Sequence, residues 1–375
     1  MLRIPVGTTR AAAAAAWIEL DSEALAHNVR EFRAVLGTGP QLIAVVKANA
    51  YGHGLAEVAA EALRAGASQL AVANVAEGAA LRAQGVTAPI LVVGPMPPED
   101  AAAAVAAALT PGLGTREQLR AFAAAVAPGA AYPVHVEIDT GMHRHGVPAE
   151  SFAAFADELR QRSRLRLAGV YTHFQALSAA EQPAMRAQLA QFERTLALVR
   201  DLGSPLRHAA NTLGTLACPE AHLDAVRIGG GLYGFDRHGQ GRVRLRPVLA
   251  LKSQLIGVRE VAAGAGIGYG ATFRCSRTTR LGLLPIGYAD GLPRALWHDA
   301  PVLVRGLRAR IVGLISMNQT VVDLTEVPDA APGDEVVLLG AQGHDWLHAE
   351  DRVPPGGSAY EVTTMLRPDL PRFWR

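Results

Sequence analysis

The sequence predicts an α/β protein: an N-terminal (β/α)8, TIM-like barrel followed by a mostly-β C-terminal domain. Three observations carry the prediction. Up to about residue 240, short β-rich runs alternate with Ala/Leu/Arg-rich amphipathic stretches, the pattern of parallel βαβ units. Eight such runs occur, over about the length a barrel needs. After Gly241 the texture changes, and helical periodicity nearly vanishes until the last 20 residues.

The expected barrel strands are Leu42–Lys47, Gln69–Ala73, Ile90–Val93, Ala108–Thr110, Val134–Ile138, Leu167–Tyr171, Leu206–Ala209 and Ala225–Ile228. Helical patterns such as Leu55–Ala65, Thr115–Ala127 and Gln182–Leu202 lie between them. The fourth strand and the helix after the eighth are the least distinct. Beyond them, VLALKSQLIGV, RLGLLPIGYADG, LRARIVGLISMNQTVVDL and EVVLLG read as strands separated by tight turns. The expected domains are therefore 12–241 for the barrel and 242–375 for the β domain, with a strand near 1–20 a candidate to pack with the latter.

Composition excludes several function classes. Lys+Arg 36 against Asp+Glu 34 leaves +2, with no basic run interleaved with aromatics, so a nucleic-acid partner is not expected. No segment offers the ~18 uninterrupted apolar residues of a membrane span. The N-terminal MLRIPVGTTRAAAAAAW imitates a signal peptide only faintly, because alanine makes a weak apolar core. A soluble, cytoplasmic protein is expected. Cys218 and Cys275 cannot build a disulfide framework or a cysteine-rich metal site, and no metal is expected.

Chemistry in such a barrel gathers at the C-terminal ends of the strands. Lys47 and Asn49 follow the first strand, Arg144 lies just beyond the fifth and His173 follows the sixth. Asn211 and Thr212 follow the seventh, while Arg227 and the triplet Gly229, Gly230, Gly231 close the eighth. Glycines there can bind phosphate on bare backbone N–H groups. Of the 36 basic residues only Lys47 and Lys252 are lysines, which directs attention to Lys47. A lysine at the end of an apolar strand can act as a nucleophile toward a carbonyl. With a phosphate site across the barrel mouth, pyridoxal 5′-phosphate (PLP) held as a Schiff base is the economical inference. On position alone, a structural lysine reads equally well.

The surrounding strings break the tie. AVVKANAYGHG (44–54), DTGMHRHG, VYTHF, HAANT, VRIGGGLYG, GYGATF, PIGYADG, ISMNQTVVDL and SAYEV occur in order from WIELD to the last helical stretch. In these the chain resembles the alanine racemase family of fold-type III PLP enzymes. The resemblance implies that Lys47 carries PLP and serves as one of two bases, with Tyr269 of the partner subunit as the other. It implies that Tyr51, Thr212, Gly229, Gly230 and Tyr360 hold the phosphate, and that Asn211 and His173 border the cofactor. Arg227 would face the pyridine nitrogen; a guanidinium donates there without surrendering a proton, which keeps the ring a weak electron sink and favours reprotonation at Cα. Arg144 and Met317 would meet the carboxylate of a small amino-acid substrate, and Tyr288 would narrow the entrance. The implied assembly is a homodimer with shared sites. The implied product, D-alanine, would feed peptidoglycan.

Two positions depart from the family. Glu137 stands where many relatives carry a lysine that can be carbamylated, and it is expected to position Arg144. Asn318 stands where many have aspartate, which leaves serine or broader specificity open. Other readings remain. HVEID places His135, Glu137 and Asp139 on one strand face, as a metal-dependent barrel hydrolase could use, but that leaves Lys47 and the glycines unexplained. A fold-type III decarboxylase typically places an acidic residue where Arg227 stands, and a non-enzymatic PLP-binding relative usually lacks the second domain.

Overall fold

The computed structural model describes residues 16–235, 242–294, 300–353 and 356–375; the expected domain limits at 12 and 241 fall outside them. The chain enters through β1 (Ala16–Leu20) and α1 (Ser22–Leu36). Then come β2 (Gln41–Val45), the single turn α2 (Lys47–Tyr51), α3 (Leu55–Arg64), β3 (Gln69–Val72), α4 (Val75–Ala83), β4 (Ile90–Val92), α5 (Ala101–Ala106) and β5 (Thr110–Leu113). The barrel continues with α6 (Arg116–Ala125), β6 (Tyr132–Asp139), the two-residue β7 (Val147–Pro148), α7 (Phe152–Arg160), β8 (Leu165–Tyr171), α8 (Gln182–Leu196), β9 (Leu206–His208), α9 (Thr212–Ala217) and β10 (Ala225–Ile228). Strands β2, β3, β4, β5, β6, β8, β9 and β10 pair in parallel, and β10 pairs with β2 to close the ring.

Alternation along the strands divides the barrel. Leu42 and Ala44 of β2 face the helices, whereas Ile43 and Val45 face inward with Ala71, Leu91 and Ala225. On the opposite side Val134, Val136 and Ile138 of β6 join the outer core, leaving His135 and Glu137 on its other face. Together with Tyr171, His208 and Arg227 they are buried. One side of the barrel interior is thus apolar, and the other is a polar network.

Two elements differ from expectation. The fourth barrel strand lies at Thr110–Leu113, not Ala108–Thr110. It contains Pro111 and Gly112, which propensity disfavours, but a Cβ at Gly112 would lie 2.3 Å from the Tyr171 hydroxyl, so the approach of Tyr171 requires glycine. No α-helix follows β10 directly; a 3-10 turn, Gly230–Tyr233, takes its place and packs on α1. Asn28 of α1 fastens the two: its Nδ2 donates to Leu232 O (3.0 Å) and Arg246 O (2.7 Å), and its Oδ1 accepts from Arg246 N (2.8 Å).

The second domain comprises β11 (Leu249–Gln254), β12 (Gly257–Val261), β13 (Gly266–Ile267), β14 (Phe273–Arg274), β15 (Thr279–Leu284), β16 (Pro301–Val304), β17 (Leu307–Ile311), β18 (Thr320–Asp323), β19 (Glu335–Gln342), β20 (Asp345–Leu347), α10 (Ala359–Thr364) and β21 (Arg372–Trp374). Its main sheet runs β12-β15-β18-β17-β16-β19-β11-β1-β21, with β20 on β19. The first and last described strands therefore lie side by side in it, Ile18 to Leu20 against Arg372 to Trp374. Lys252, the second lysine, is buried here and bridges Glu19 and Glu335, each at 3.1 Å, tying β1, β11 and β19 together. Cys218 and Cys275 are both free and buried. Among the described residues no helix is long and apolar enough to cross a membrane.

Replacing Asn28 by Ala removes three hydrogen bonds and leaves the buried Leu232 carbonyl without this donor. The expected cost is roughly 2–4 kcal/mol, read as a lowered urea midpoint with an unchanged slope.

Candidate active site

Lys47 leaves β2 into backbone of unusual hand. Ala48, Asn49, Ala50 and Tyr51 all have φ between 52° and 55°, forming one left-handed turn. Each such non-glycine residue costs about 1–2 kcal/mol, so the turn persists only because its surroundings hold it. Asn49 Oδ1 accepts from Leu55 N (2.9 Å), and Glu77 of α4 accepts from Ala48 N (2.7 Å). The β domain presses from outside: a Cβ on Gly52 would lie 2.0 Å from Thr363 O, and Arg372 Nη2 donates to Gly52 O (3.0 Å). The Lys47 ammonium is held below its ordinary range by burial, then by Arg144; Glu77 opposes this and Arg227 adds to it.

Arg227 lies inside the barrel mouth, buried. Its Nη1 donates to His208 Nδ1 (2.7 Å) and His208 O (3.1 Å), and its Nη2 to Thr172 O (2.7 Å), Ala209 O (3.1 Å) and His173 Nδ1 (3.2 Å). A guanidinium has no acceptor, so both imidazoles must receive at Nδ1 and carry their protons on Nε2. His208 Nε2–H then donates to His135 Nδ1 at 2.9 Å. Burial, followed by the Arg227 charge, pushes His135 and His173 down to about 3 and His208 well below its usual value. His173 therefore stands at the mouth as a neutral N–H donor, within electrostatic reach of Lys47 and Arg144.

Tyr171 stacks on His208 at 4.8 Å, and the Arg227 guanidinium lies 5.2 Å from the Tyr171 ring centre. Its hydroxyl donates to Glu137 Oε2 (3.1 Å), which also bonds His145 Nδ1 (2.7 Å). Glu137 and Arg144 share no direct hydrogen bond; the expected positioning of Arg144 by Glu137 would have to run through a bridging group. Glu137 points into the barrel from β6, whereas Arg144 occupies an exposed loop that Asp139 organises by accepting from Gly141 N (3.0 Å) and His143 N (3.1 Å). The three inward or terminal residues of HVEID thus serve three separate sets of partners. Among the described residues no group of three His, Cys, Asp or Glu could hold a metal ion.

Across the mouth, the glycine triplet forms a cradle. A Cβ on Gly229 would lie 2.5 Å from the Tyr51 hydroxyl, and one on Gly230 would lie 2.4 Å from the Tyr360 hydroxyl. The Tyr51 and Tyr360 rings meet edge-on at 5.4 Å. Thr212 Oγ1 accepts from Gly231 N (3.3 Å). Two phenols and a threonine hydroxyl therefore converge on bare backbone, a set suited to phosphate oxygens. Asn211 spends its side-chain carbonyl on Gly214 N (2.9 Å), capping α9, and only its amide N–H groups remain.

Tyr269, Met317 and Tyr288 lie on the β domain and are 70%, 56% and 42% exposed. Their loops are joined: Tyr288 N donates to Ser316 O (3.1 Å) and Ala289 N to Met317 O (2.9 Å), while Gly313 packs against Ile267 just before Tyr269. Asn318 is exposed on the same 316–319 turn. Within one chain, no hydrogen bond or ring contact links Tyr269 to Lys47. Glu77, Tyr171 and His208 were not singled out from the sequence. His208 lies in HAANT and Tyr171 in VYTHF, where inward alternation was the available signal; Glu77 shows locally only as the glutamate of an Asn74-x-x-Glu77 helix start.

Comparison with known proteins gives a consistent picture. Residues 20–237 match the family model described as "Alanine racemase, N-terminal domain", and 248–374 match "Alanine racemase, C-terminal domain". An alanine racemase of Desulfovibrio desulfuricans is 40% identical over 363 residues, covering 96% of this chain and 97% of that one. A crystal structure of alanine racemase from Bacillus anthracis with bound L-Ala-P superposes with a TM-score of 0.90 at 33% identity, covering 96% and 95% of the two chains. An alanine racemase structure from Streptomyces lavendulae gives 0.88 at 34%, covering 96% and 97%.

The depressed histidines set a pH dependence. Unfolded imidazoles bind protons below about 6.5, whereas His135 and His173 take theirs only near 3. Their contribution is complete above pH 6.5 and is lost as pH falls from there toward 3, at up to about 1.4 kcal/mol per unit for each titrating histidine. Denaturation midpoints measured from pH 8 down to 5 should fall only below 6.5.

Proposed function

The chain belongs to the alanine racemase family and is an amino-acid racemase; from that premise we propose that it interconverts L- and D-alanine using PLP on Lys47. The observation that carries the reading is the opposition, across one barrel mouth, of a lysine held toward its neutral form and a phosphate-shaped cradle. The bound cofactor would supply an electron-withdrawing system that acidifies the substrate Cα–H. Tyr51, Tyr360, Thr212 and the Gly229–Gly230 backbone would hold its phosphate, with Asn211 beside them. Arg227 would donate to its ring nitrogen, and a guanidinium already committed to two imidazoles and three carbonyls has no proton to give up.

Racemisation needs a proton carrier on each face of Cα. Lys47 would serve one face, since a lysine desolvated beside two guanidiniums shuttles a proton more readily than an exposed one. Tyr269 of the partner subunit would serve the other. Its phenol is exposed and makes no hydrogen bond among the described residues, as a residue completing a neighbour's site would. The His173 Nε2–H is suited to donate to that phenol oxygen and stabilise its anion. Arg144, together with the partner subunit's Met317, would receive the substrate carboxylate, and Tyr288 would restrict entry. Glu137 would act as a fixed carboxylate behind Tyr171, balancing the buried Arg227 charge. This reading makes the protein a homodimer with two shared sites, cytoplasmic, with D-alanine passing to peptidoglycan.

Purified, PLP-loaded protein incubated with L-alanine should yield D-alanine approaching an equal mixture by chiral chromatography, with L-serine turned over more slowly. Comparable serine turnover would broaden the specificity, as the neutral Asn318 permits; no D-isomer from either, despite bound PLP, would overturn the reading. Gly230→Ala drives a methyl into the Tyr360 hydroxyl and should weaken PLP binding by at least about tenfold, in line with the ~1–3 kcal/mol lost when hydrogen-bond partners are displaced. Equilibrium dialysis measures it.

A further inference from the structure

We propose that Glu77 is the positioning residue of Lys47: its carboxylate bridges the Ala48 and Ala73 N–H groups and so fixes the left-handed turn from which Lys47 enters the site. The inference rests on the reading that Lys47 carries the cofactor.

Glu77 occupies the third position of α4, whose N-cap is Asn74; Asn74 Oδ1 accepts from Glu77 N at 2.9 Å. A glutamate at that position ordinarily reaches back to the start of its own helix. Oε2 does nearly this, accepting from Ala73 N at 2.8 Å. The other oxygen does something a cap does not need. Oε1 crosses to the end of the neighbouring strand and accepts from Ala48 N at 2.7 Å, 29 residues away in sequence. Ala48 is the first residue of the left-handed turn and the immediate neighbour of Lys47. One carboxylate therefore locks the ends of β2 and β3 together where the lysine emerges.

The charge of Glu77 has no surface partner: no ion pair forms at it among the described residues. Lys47 is faced by Arg144, Arg227, the neutral His173 and Glu77. Of these Glu77 alone favours the ammonium, so it sets both the direction of the side chain and the balance between its protonation states.

Two variants separate the roles. Glu77→Gln keeps the length but presents an N–H donor to one of the two N–H groups and removes the charge. Glu77→Asp keeps the charge but is too short to span both. The chain has only two lysines and Lys252 is doubly ion-paired, so amine-directed labelling of the full-length, cofactor-free protein, read by peptide mass spectrometry against pH, follows Lys47 with little interference. Glu77→Gln should move the Lys47 labelling midpoint down by about one unit, and Glu77→Asp should leave it near wild type. In the PLP-loaded enzyme both should lower kcat for alanine about tenfold, with KM changed less than about twofold.

Wild-type labelling and kcat in both variants would overturn the proposal. So would a loss of activity that merely tracks a lowered melting temperature while the Glu77→Gln midpoint stays put. If Glu77→Gln does not fold, an unchanged kcat in Glu77→Asp overturns it and a tenfold loss supports it. Borohydride reduction of the wild-type holoenzyme separates the two levels. If Lys47 is not trapped with the cofactor, the parent reading falls and this proposal with it; if it is trapped and the variants behave as wild type, only the role of Glu77 falls.

Discussion

The guanidinium of Arg227 is the constraint around which the barrel is arranged. A buried charge without partners is untenable, and this one can only donate. Five acceptors from β8, β9 and the segments after them surround it. Their geometry dictates the tautomers of His173, His208 and His135, and burial keeps all three neutral. The counter-charge is not in contact; Glu137 acts from behind the Tyr171 ring. Room for these large polar side chains comes from glycines. A Cβ on Gly169 would lie 2.4 Å from the His135 ring, and one on Gly112 would strike Tyr171. Small residues on β5 and β8 are therefore conditions for a polar network that spans β6, β8, β9 and β10.

The apolar side of the barrel mouth solves a different problem. The left-handed turn after Lys47 is locally unfavourable, and its support comes from distant places: Glu77 from the next βα unit, and Thr363 and Arg372 from the β domain. Tyr360 from α10 completes the glycine cradle from the same side. The two domains thus meet at the site itself, and the β domain buttresses the loop that carries the lysine. β1 and β21, the first and last described strands, lie together in one sheet, and Arg372 of β21 reaches Gly52 in that loop.

Electrostatically the mouth gathers Lys47, Arg144 and Arg227, with neutral imidazoles between them. Three cations in one partly desolvated cleft favour anionic partners such as a phosphate and a carboxylate. The two guanidiniums also weaken the hold of Lys47 on its proton. The only one that can yield a proton in response is the lysine, because the guanidiniums stay charged.

Much of this was legible in the sequence. Strand–helix alternation identified eight barrel strands, seven of them within two residues of their observed bounds, and the strand ends led to Lys47, Arg227 and the glycine triplet. Local pattern encodes these because periodicity reports which face of an element is buried, and glycine reports where backbone must be approached closely. Partner choice is another matter. That the fourth strand would shift onto Pro111–Gly112, that Lys47 would leave its strand for a left-handed turn, and that Glu137 would bond Tyr171 and His145 rather than Arg144 were decided only in the tertiary structure. Glu77, the single acidic residue of α4, acquired its role from a bond spanning 29 residues. A sequence states what each side chain can donate or accept; which acceptor lies within 3 Å is set by how distant segments pack.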